Sequence, residues 1–172
     1  MMEAMREAAR FRSAMMRKIR SFFDERAYLE VDTPVLSPTL IPESTIENFA
    51  TRFENPFLPS RELYLVPSPE VYMKRLIADG WGSIYQISHC FRNSEQLGKN
   101  HNIEFTMLEY YTTEADEQDS IAITEELFAA LITEDTPDHL RPPFARLSVE
   151  EATWTLAGVD LERHQRQSTL AG

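Results

Sequence analysis

Two segments decide the fold of this chain: Phe91-Arg92-Asn93-Ser94-Glu95 and, after a polar loop, His101-Asn102-Ile103-Glu104-Phe105-Thr106-Met107-Leu108-Glu109-Tyr110-Tyr111. The stretches Ile84 to Arg92 and Asn102 to Thr112 predict two antiparallel strands joined by that loop. Side chains alternate between the faces of a strand, so one face carries Phe105, Met107, Glu109 and Tyr111. On the preceding strand, one face carries Gln86, Ser88, Cys90 and Arg92.

If Arg92 and Phe105 face the same cleft, the cleft presents a guanidinium, an aromatic ring and, further along, a carboxylate. A guanidinium suits bidentate contact with carboxylate or phosphate oxygens, and a ring can stack on a base. This layout predicts a platform for a nucleotide such as ATP, with an ammonium pocket at its far end. For each residue taken alone a simpler interpretation stays open: Arg92 and Glu95 form an ion pair at the strand end, and the aromatic residues are ordinary core.

The flanking sequence predicts further helices and strands. Apolar spacing of three and four residues predicts an amphipathic first helix, and a period of two predicts a strand before Pro34. Ser68-Pro69-Glu70 reads as a helix start with Ser68 as N-cap, and Gly80 ends that helix. The proline-rich stretch from Leu36 to Arg61 predicts a loop, with at most a short strand at Ile46 to Phe53. The other predicted elements are helices at Ala4 to Arg26, Ser68 to Asp79, Ser120 to Ile132 and Val149 to Ala157, and strands at Tyr28 to Thr33 and Leu63 to Val66, followed by a polar tail to Gly172.

The composition predicts one domain over residues 1–172, in a cytoplasmic setting. The single cysteine, Cys90, cannot form an internal disulfide, and no apolar run approaches the roughly 20 residues that cross a bilayer. The formal net charge of -11 repels a phosphate backbone and fits a basic protein partner better than nucleic acid. The sequence has no His and Cys residues at metal-ligand spacing and no Gly-rich phosphate loop. His101 is more simply interpreted as an exposed loop histidine than as a catalytic base.

These motifs together resemble the class II aminoacyl-tRNA synthetases, in particular the lysine branch and its stand-alone paralogues that attach lysine to elongation factor P. The first helix with Leu29-Glu30-Val31-Asp32-Thr33-Pro34 resembles motif 1 of that family, and the two segments quoted first resemble motif 2. Ser68-Pro69-Glu70 resembles the amino-acid-binding segment of the lysine enzymes, whereas the aspartate and asparagine enzymes carry glutamine at the position of Glu70. The similarity extends from about Arg10 to Ile132 and more faintly to Leu161.

The resemblance implies an α+β fold, with an antiparallel sheet flanked by helices, and a homodimer formed through the segment at Pro34. It implies that ATP activates lysine as lysyl-adenylate and that lysine passes to a lysine of elongation factor P. Arg92 would be the catalytic residue, bridging the lysine carboxylate and the α-phosphate. Lysine would be bound by Ser68, Pro69, Glu70, Glu109 and Tyr111. ATP would be bound by Arg92, Asn93, Ser94, Glu95, His101, Asn102 and Phe105, with Mg²⁺ held by residues beyond the end of this chain.

The sequence departs from the family pattern in three places. Ser94 stands where the family has glutamate, Ile103 replaces a proline, and nothing resembles motif 3, which predicts a fragment or a truncated, partial domain. Two alternatives therefore stay open beside the protein-modifying ligase: a lysyl-tRNA synthetase or its fragment, and a non-catalytic remnant that dimerises or senses a ligand. The missing anticodon-binding barrel and the acidic charge disfavour tRNA as the main substrate.

Overall fold

The computed structural model describes residues 2–41, 45–99 and 101–161. The chain divides into two compact units, one up to Leu131 and one from Ile132 onward. The helices of the first unit are α1 (Met2–Asp24), α2 (Glu70–Ala78) and α3 (Glu117–Leu131), and its strands are β1 (Leu29–Glu30), β2 (Leu36–Ser37), β3 (Ala50–Asn55), β4 (Leu58–Leu65), β5 (Ile84–Phe91) and β6 (Glu104–Tyr111). The second unit holds a 3₁₀ turn (Asp138–Leu140) and α4 (Val149–Ala152), which continues as a π-helical turn (Thr153–Ala157).

The first sheet has the order β1-β5-β6. Strands β5 and β6 pair antiparallel from Ile84 opposite Tyr111 to Phe91 opposite Glu104, as predicted. Strand β1 runs parallel to β5, so the sheet is mixed rather than wholly antiparallel. The parallel pairing is possible because the chain between β1 and β5 is long enough to return to the same end of the sheet. A mixed α+β architecture is thus confirmed, with this correction to the sheet.

One face of this sheet packs against α1 and α3. Phe23 of α1 is fully buried and stacks on Tyr85 of β5, with ring centroids 4.6 Å apart. Tyr110 of β6 and Leu127 of α3 complete this core. The first half of α1 stays exposed, including Phe11, although the apolar spacing predicts a packed face along the whole helix. Among the described residues, the rest of the first unit therefore packs only against the second half of α1.

The opposite face of the sheet packs against α2. Met73 is fully buried between Val31 and Ile84. The predicted helix start is wrong by one position, since α2 begins at Glu70 with Pro69 as its N-cap. Ser68 still satisfies the first turn, because its Oγ accepts a hydrogen bond from the Glu70 N–H at 3.1 Å. The helix ends before Gly80, whose φ of +82° is the left-handed conformation that the sequence predicts there.

The stretch predicted as a loop, from Leu36 to Arg61, instead forms most of a second sheet with the order β2-β4-β3. The hairpin pairs polar positions such as Arg52 opposite Glu62, and much of it is exposed on both faces. The sequence therefore lacks the alternation by which a half-buried strand is recognised. Conversely, the strand predicted at Tyr28 to Thr33 is only the two residues of β1, although the Val31 N–H still donates to the Tyr85 carbonyl at 2.9 Å.

Helix boundaries elsewhere follow capping chemistry. Helix α3 begins at Glu117, earlier than the predicted Ser120, because Asp116 Oδ1 accepts from the N–H groups of Gln118 and Asp119. The predicted helix from Val149 to Ala157 is present as α4 and the π-helical turn, and a reciprocal Ser148–Glu151 capping box starts it. The predicted polar tail lies largely outside the described residues. No helix in the described ranges is long and apolar enough to cross a membrane.

Candidate functional site

The candidate site lies on the α2 face of the first sheet, on β5 and β6. Cross-strand partners share a face, and the register places Cys90 opposite Phe105 and Gln86 opposite Glu109. The pairing continues past β5, since the Arg92 N–H donates to the Ile103 carbonyl at 3.0 Å. Arg92 Cζ lies 5.2 Å from the centroid of the Phe105 ring. The guanidinium and the ring are therefore neighbours on one face, which is the condition that the sequence-based platform requires.

The guanidinium of Arg92 is incompletely satisfied. Its Nε is buried and has no hydrogen-bond partner among the described residues, Glu95 included. Leaving a buried donor unpaired costs about 1–3 kcal/mol, more for a charged group. An anion placed against Arg92 would remove that cost and would also accept the fork of N–H groups. The simpler interpretation of Arg92, an ion pair with Glu95 at the strand end, therefore leaves the buried Nε without a partner.

A second cluster lies further along β6, around the carboxylate of Glu109. Ser68 Oγ donates to Glu109 Oε2 at 2.8 Å, and the Tyr111 hydroxyl donates to Oε1 at 2.6 Å. Burial, together with the hydrogen bond to Glu109, raises the pKa of Tyr111 above its ordinary value, so the phenol remains a donor at neutral pH. One donor from the segment before α2 and one from β6 itself thus hold the carboxylate in a fixed orientation.

Glu70 lies in the first turn of α2, next to this cluster. Its carboxylate accepts a hydrogen bond from the ammonium of Lys74, one turn later. That hydrogen bond raises the pKa of Lys74, and the charge of Glu109 raises it further. Glu70 therefore already holds a cation of the protein itself. Sequence reasoning missed Lys74, although its i,i+4 spacing from Glu70 is a recognisable signal.

The loop after Arg92 is tied to the segment before β3. The Asn93 N–H donates to the Glu47 carbonyl at 2.8 Å, and Ser94 Oγ donates to Glu47 Oε2 at 2.6 Å. Ser94 adopts a left-handed conformation with φ of +56°. Glu47 thus places a carboxylate beside Ser94, the position at which the motif 2 pattern has glutamate. Nothing in the sequence marked Glu47, because the contact joins residues 47 positions apart.

The remaining residues that the sequence predicts to bind ATP lie in the loop beside Phe105. A cavity of about 520 Å³ is lined by Leu97, Gly98, Lys99, His101, Asn102 and Phe105. His101 is exposed, and its carbonyl accepts from the Gly98 N–H at 3.1 Å. Asn102 Oδ1 accepts from the Ile103 N–H at 2.9 Å, and Glu95 is half-buried in the same loop. The structure brings the ring of Phe105 to the wall of a space large enough for a planar base.

Two predicted residues have other positions. Pro69 is fully buried, and its carbonyl accepts from the N–H groups of Tyr72 and Met73 at the start of α2. Pro34 lines a separate groove of about 470 Å³ with Leu29, Leu76 and Trp81 among its walls. Pro34 therefore lies on a surface distinct from the Arg92–Phe105 pair.

The described residues offer no cage for a metal ion. No group of three or more His, Cys, Asp or Glu side chains in the described ranges could hold one. Magnesium in nucleotide sites is bound largely by phosphates and water with one or two carboxylates.

Comparison with known proteins gives consistent matches. The model of the family described as tRNA synthetases class II (D, K and N) matches residues 1–171. Three curated relatives are each named elongation factor P–(R)-beta-lysine ligase. The one from Hamiltonella defensa is 43% identical over 123 residues, covering 71% of this chain and 38% of the relative. The one from Vibrio vulnificus is 37% identical over 154 residues, covering 89% and 45%.

The third relative, from Histophilus somni, is 48% identical over 106 residues, which cover 61% of this chain and 32% of the relative. The chain thus spans less than half the length of these curated relatives.

Proposed function

Since the chain belongs to the class II aminoacyl-tRNA synthetase family for aspartate, lysine and asparagine, we propose that it activates lysine with ATP and passes it to a lysine of elongation factor P. The observation that carries this proposal is the pairing of two half-sites on one sheet face. Arg92 lies against the Phe105 ring at one end, and Ser68 and Tyr111 hold the Glu109 carboxylate at the other.

The two half-sites suit the two ends of a lysyl-adenylate. Phe105 stacks on adenine, and Asn93, Ser94, Glu95, His101 and Asn102 surround the nucleotide. Arg92 contacts the amino-acid carboxylate and the α-phosphate together. Glu70 accepts the α-ammonium, and Glu109 with Tyr111 receives the side-chain ammonium. Carboxylates suit both positions, because a buried ammonium without a charged partner is costly.

The reaction proceeds in two displacements. An oxygen of the lysine carboxylate attacks the α-phosphorus in line, the bond to the β-phosphate bridging oxygen breaks, and pyrophosphate leaves with the electron pair. Arg92 stabilises the charge that builds on the α-phosphate. The amine of the acceptor then attacks the carbonyl carbon of the adenylate, AMP leaves, and the amine gives up its proton. Positioning and electrostatics suffice, so no covalent protein nucleophile is required.

A protein acceptor is favoured by two observations. The curated relatives are named as ligases of elongation factor P, and the net charge of -11 repels a polyanion. The same names point to (R)-beta-lysine as the preferred amino acid. The family description itself favours the second candidate, charging of tRNA with lysine. Under either candidate, the protein acts in the cytoplasm as a homodimer formed through the Pro34 segment.

The test separates activation from transfer. Pyrophosphate exchange into ATP is expected to require lysine or (R)-beta-lysine, and radiolabelled amino acid is expected on elongation factor P and not on tRNA. Label on tRNA would favour the second candidate. If no exchange occurs with either amino acid, the ligase proposal is wrong and a non-catalytic role in dimerisation or ligand sensing remains.

A further inference from the structure

Gln86 is a polar residue in the middle of the site's floor that none of the assigned roles uses. It lies on β5 and is only 2% exposed. The strand register places it directly opposite Glu109, on the face that carries Arg92 and Phe105. The residues two positions away on either side, Ile84 and Ser88, are buried as well. Gln86 therefore lies under the ammonium end of the site rather than at its rim.

The side-chain oxygen of Gln86 lacks a partner. Oε1 is buried and accepts no hydrogen bond from any described residue. The great majority of buried polar side-chain atoms are hydrogen-bonded, and an unpaired one costs about 1–3 kcal/mol. An acceptor with no donor in the protein is suited to a donor that arrives with a ligand.

An ammonium group can supply the donor that Gln86 Oε1 lacks among the described residues. A primary ammonium carries three N–H donors and no acceptor, so it needs more than one oxygen around it. Both oxygens of Glu109 already accept from the protein, one from Ser68 and one from Tyr111. Directly opposite residues in an antiparallel pair have Cβ atoms about 4.5–5.5 Å apart, which puts a Gln86 oxygen and a Glu109 oxygen within reach of one nitrogen.

We propose that Gln86 Oε1 accepts a hydrogen bond from the side-chain ammonium of bound lysine, beside Glu109. The inference deepens the proposed function and rests on it. Gln86 is then a substrate-binding residue that supplies a neutral acceptor next to a charged one. It contributes to the choice of an amino acid with a side-chain ammonium over one with an apolar end.

The test compares lysine with norleucine, which has the same carbon chain without the side-chain ammonium. Binding is measured by titration followed by nuclear magnetic resonance, for the wild type, Gln86→Met and the matched control Gln118→Met on α3. Gln86→Met is expected to weaken lysine at least about tenfold and norleucine less than about twofold. Gln118→Met is expected to change neither ligand.

A second variant guards against misfolding. Gln86→Glu keeps an acceptor oxygen and is expected to bind lysine within about threefold of the wild type. Equal losses of lysine and norleucine in Gln86→Met would show that the residue is structural and would overturn the inference, as would unchanged lysine binding. If the wild type binds no lysine at all, the proposed function fails, and the inference fails with it.

Discussion

At the residue scale, the site combines carboxylates that accept hydrogen bonds from the protein with two buried polar atoms, Arg92 Nε and Gln86 Oε1, that have no partner among the described residues. Strand parity predicted that Phe105, Glu109 and Tyr111 share a face of β6, because the period of two is a property of every strand. That Arg92 lies on the same side follows from the β5–β6 register, which parity does not give. Parity could not predict the partners. The hydrogen bond from Ser68 to Glu109 and the pairing of Ser94 with Glu47 join residues that are distant in sequence, so they depend on how α2 and the β3 segment pack.

The first prediction concerns the Glu70 carboxylate and its contribution to lysine affinity. Glu70→Gln is expected to weaken lysine binding by more than about tenfold, because a charge-assisted hydrogen bond is lost, and to change ATP binding by less than about twofold. Calorimetric titration with each ligand measures both effects. Equal losses for the two ligands would contradict the role given to Glu70.

Lys74→Met is expected to act in the opposite direction. Removing the competing cation frees the Glu70 carboxylate, so lysine binding should strengthen by roughly two- to threefold, the modest effect expected of an exposed i,i+4 pair. The same titration measures it, with Lys18→Met on α1 as the control. Weaker lysine binding in Lys74→Met would show that this ammonium supports the site rather than competes for it.

At the element scale, the strand pair β5–β6 separates an apolar core on one face from a polar site on the other. Its α1 face is a core of packed aromatic rings, whereas its α2 face carries the polar site. The sequence predicted this pair to within two residues at its ends, since both strands combine alternation with β-branched and aromatic residues. For the β3–β4 hairpin, whose exposed faces leave no such pattern, it marked only the short stretches Ile46 to Phe53 and Leu63 to Val66. It failed for the direction of β1, which depends on the connection and not on local sequence.

The buried ionisable groups of this pair predict sensitivity to alkali. Burial, helped by Glu30 and Asp24, raises the pKa of Tyr85 above its ordinary value of 10.0, and burial raises that of Cys90 above 9.0. The folded state then keeps protons that the unfolded chain releases, so the free energy of unfolding falls as pH rises past about 9 and further past 10. Urea unfolding is measured at several pH values from about 8 to 11. This range spans the ordinary pKa values of both groups.

Tyr85→Phe provides the matched comparison for this alkaline loss. Without the phenol, stability should fall less steeply above about pH 10 than in the wild type, whatever its value at neutral pH. An identical slope in the two proteins would show that Tyr85 does not keep its proton in the folded state.

At the scale of the whole molecule, one groove of the first unit carries exposed apolar side chains. Leu29 and Trp81 are each about half exposed, and both line the groove that contains Pro34. Contiguous exposed apolar surface of this kind marks an interaction site more often than a solvated one. The sequence predicted a dimer interface here only through its resemblance to motif 1.

The groove predicts self-association. The wild type is expected to sediment at twice the mass of the chain, and Trp81→Asp is expected to weaken the dimer by roughly 100-fold, because a carboxylate would be buried in an apolar contact. Sedimentation equilibrium across a concentration series measures this. Trp154→Asp, at an exposed tryptophan of the second unit, is the control. A monomeric wild type, or equal effects of the two substitutions, would exclude the groove as the interface.

The most direct test of the two half-sites is calorimetric binding of a lysyl-adenylate analogue in which a sulfamoyl group replaces the phosphate. A single ligand that spans both ends should bind the wild type at least about 100-fold more tightly than lysine does. Arg92→Lys, which keeps the charge but removes the planar fork, should lower that affinity at least about tenfold. Binding of the analogue no tighter than lysine, or unchanged affinity in Arg92→Lys, would contradict the assignment of this sheet face as the activation site.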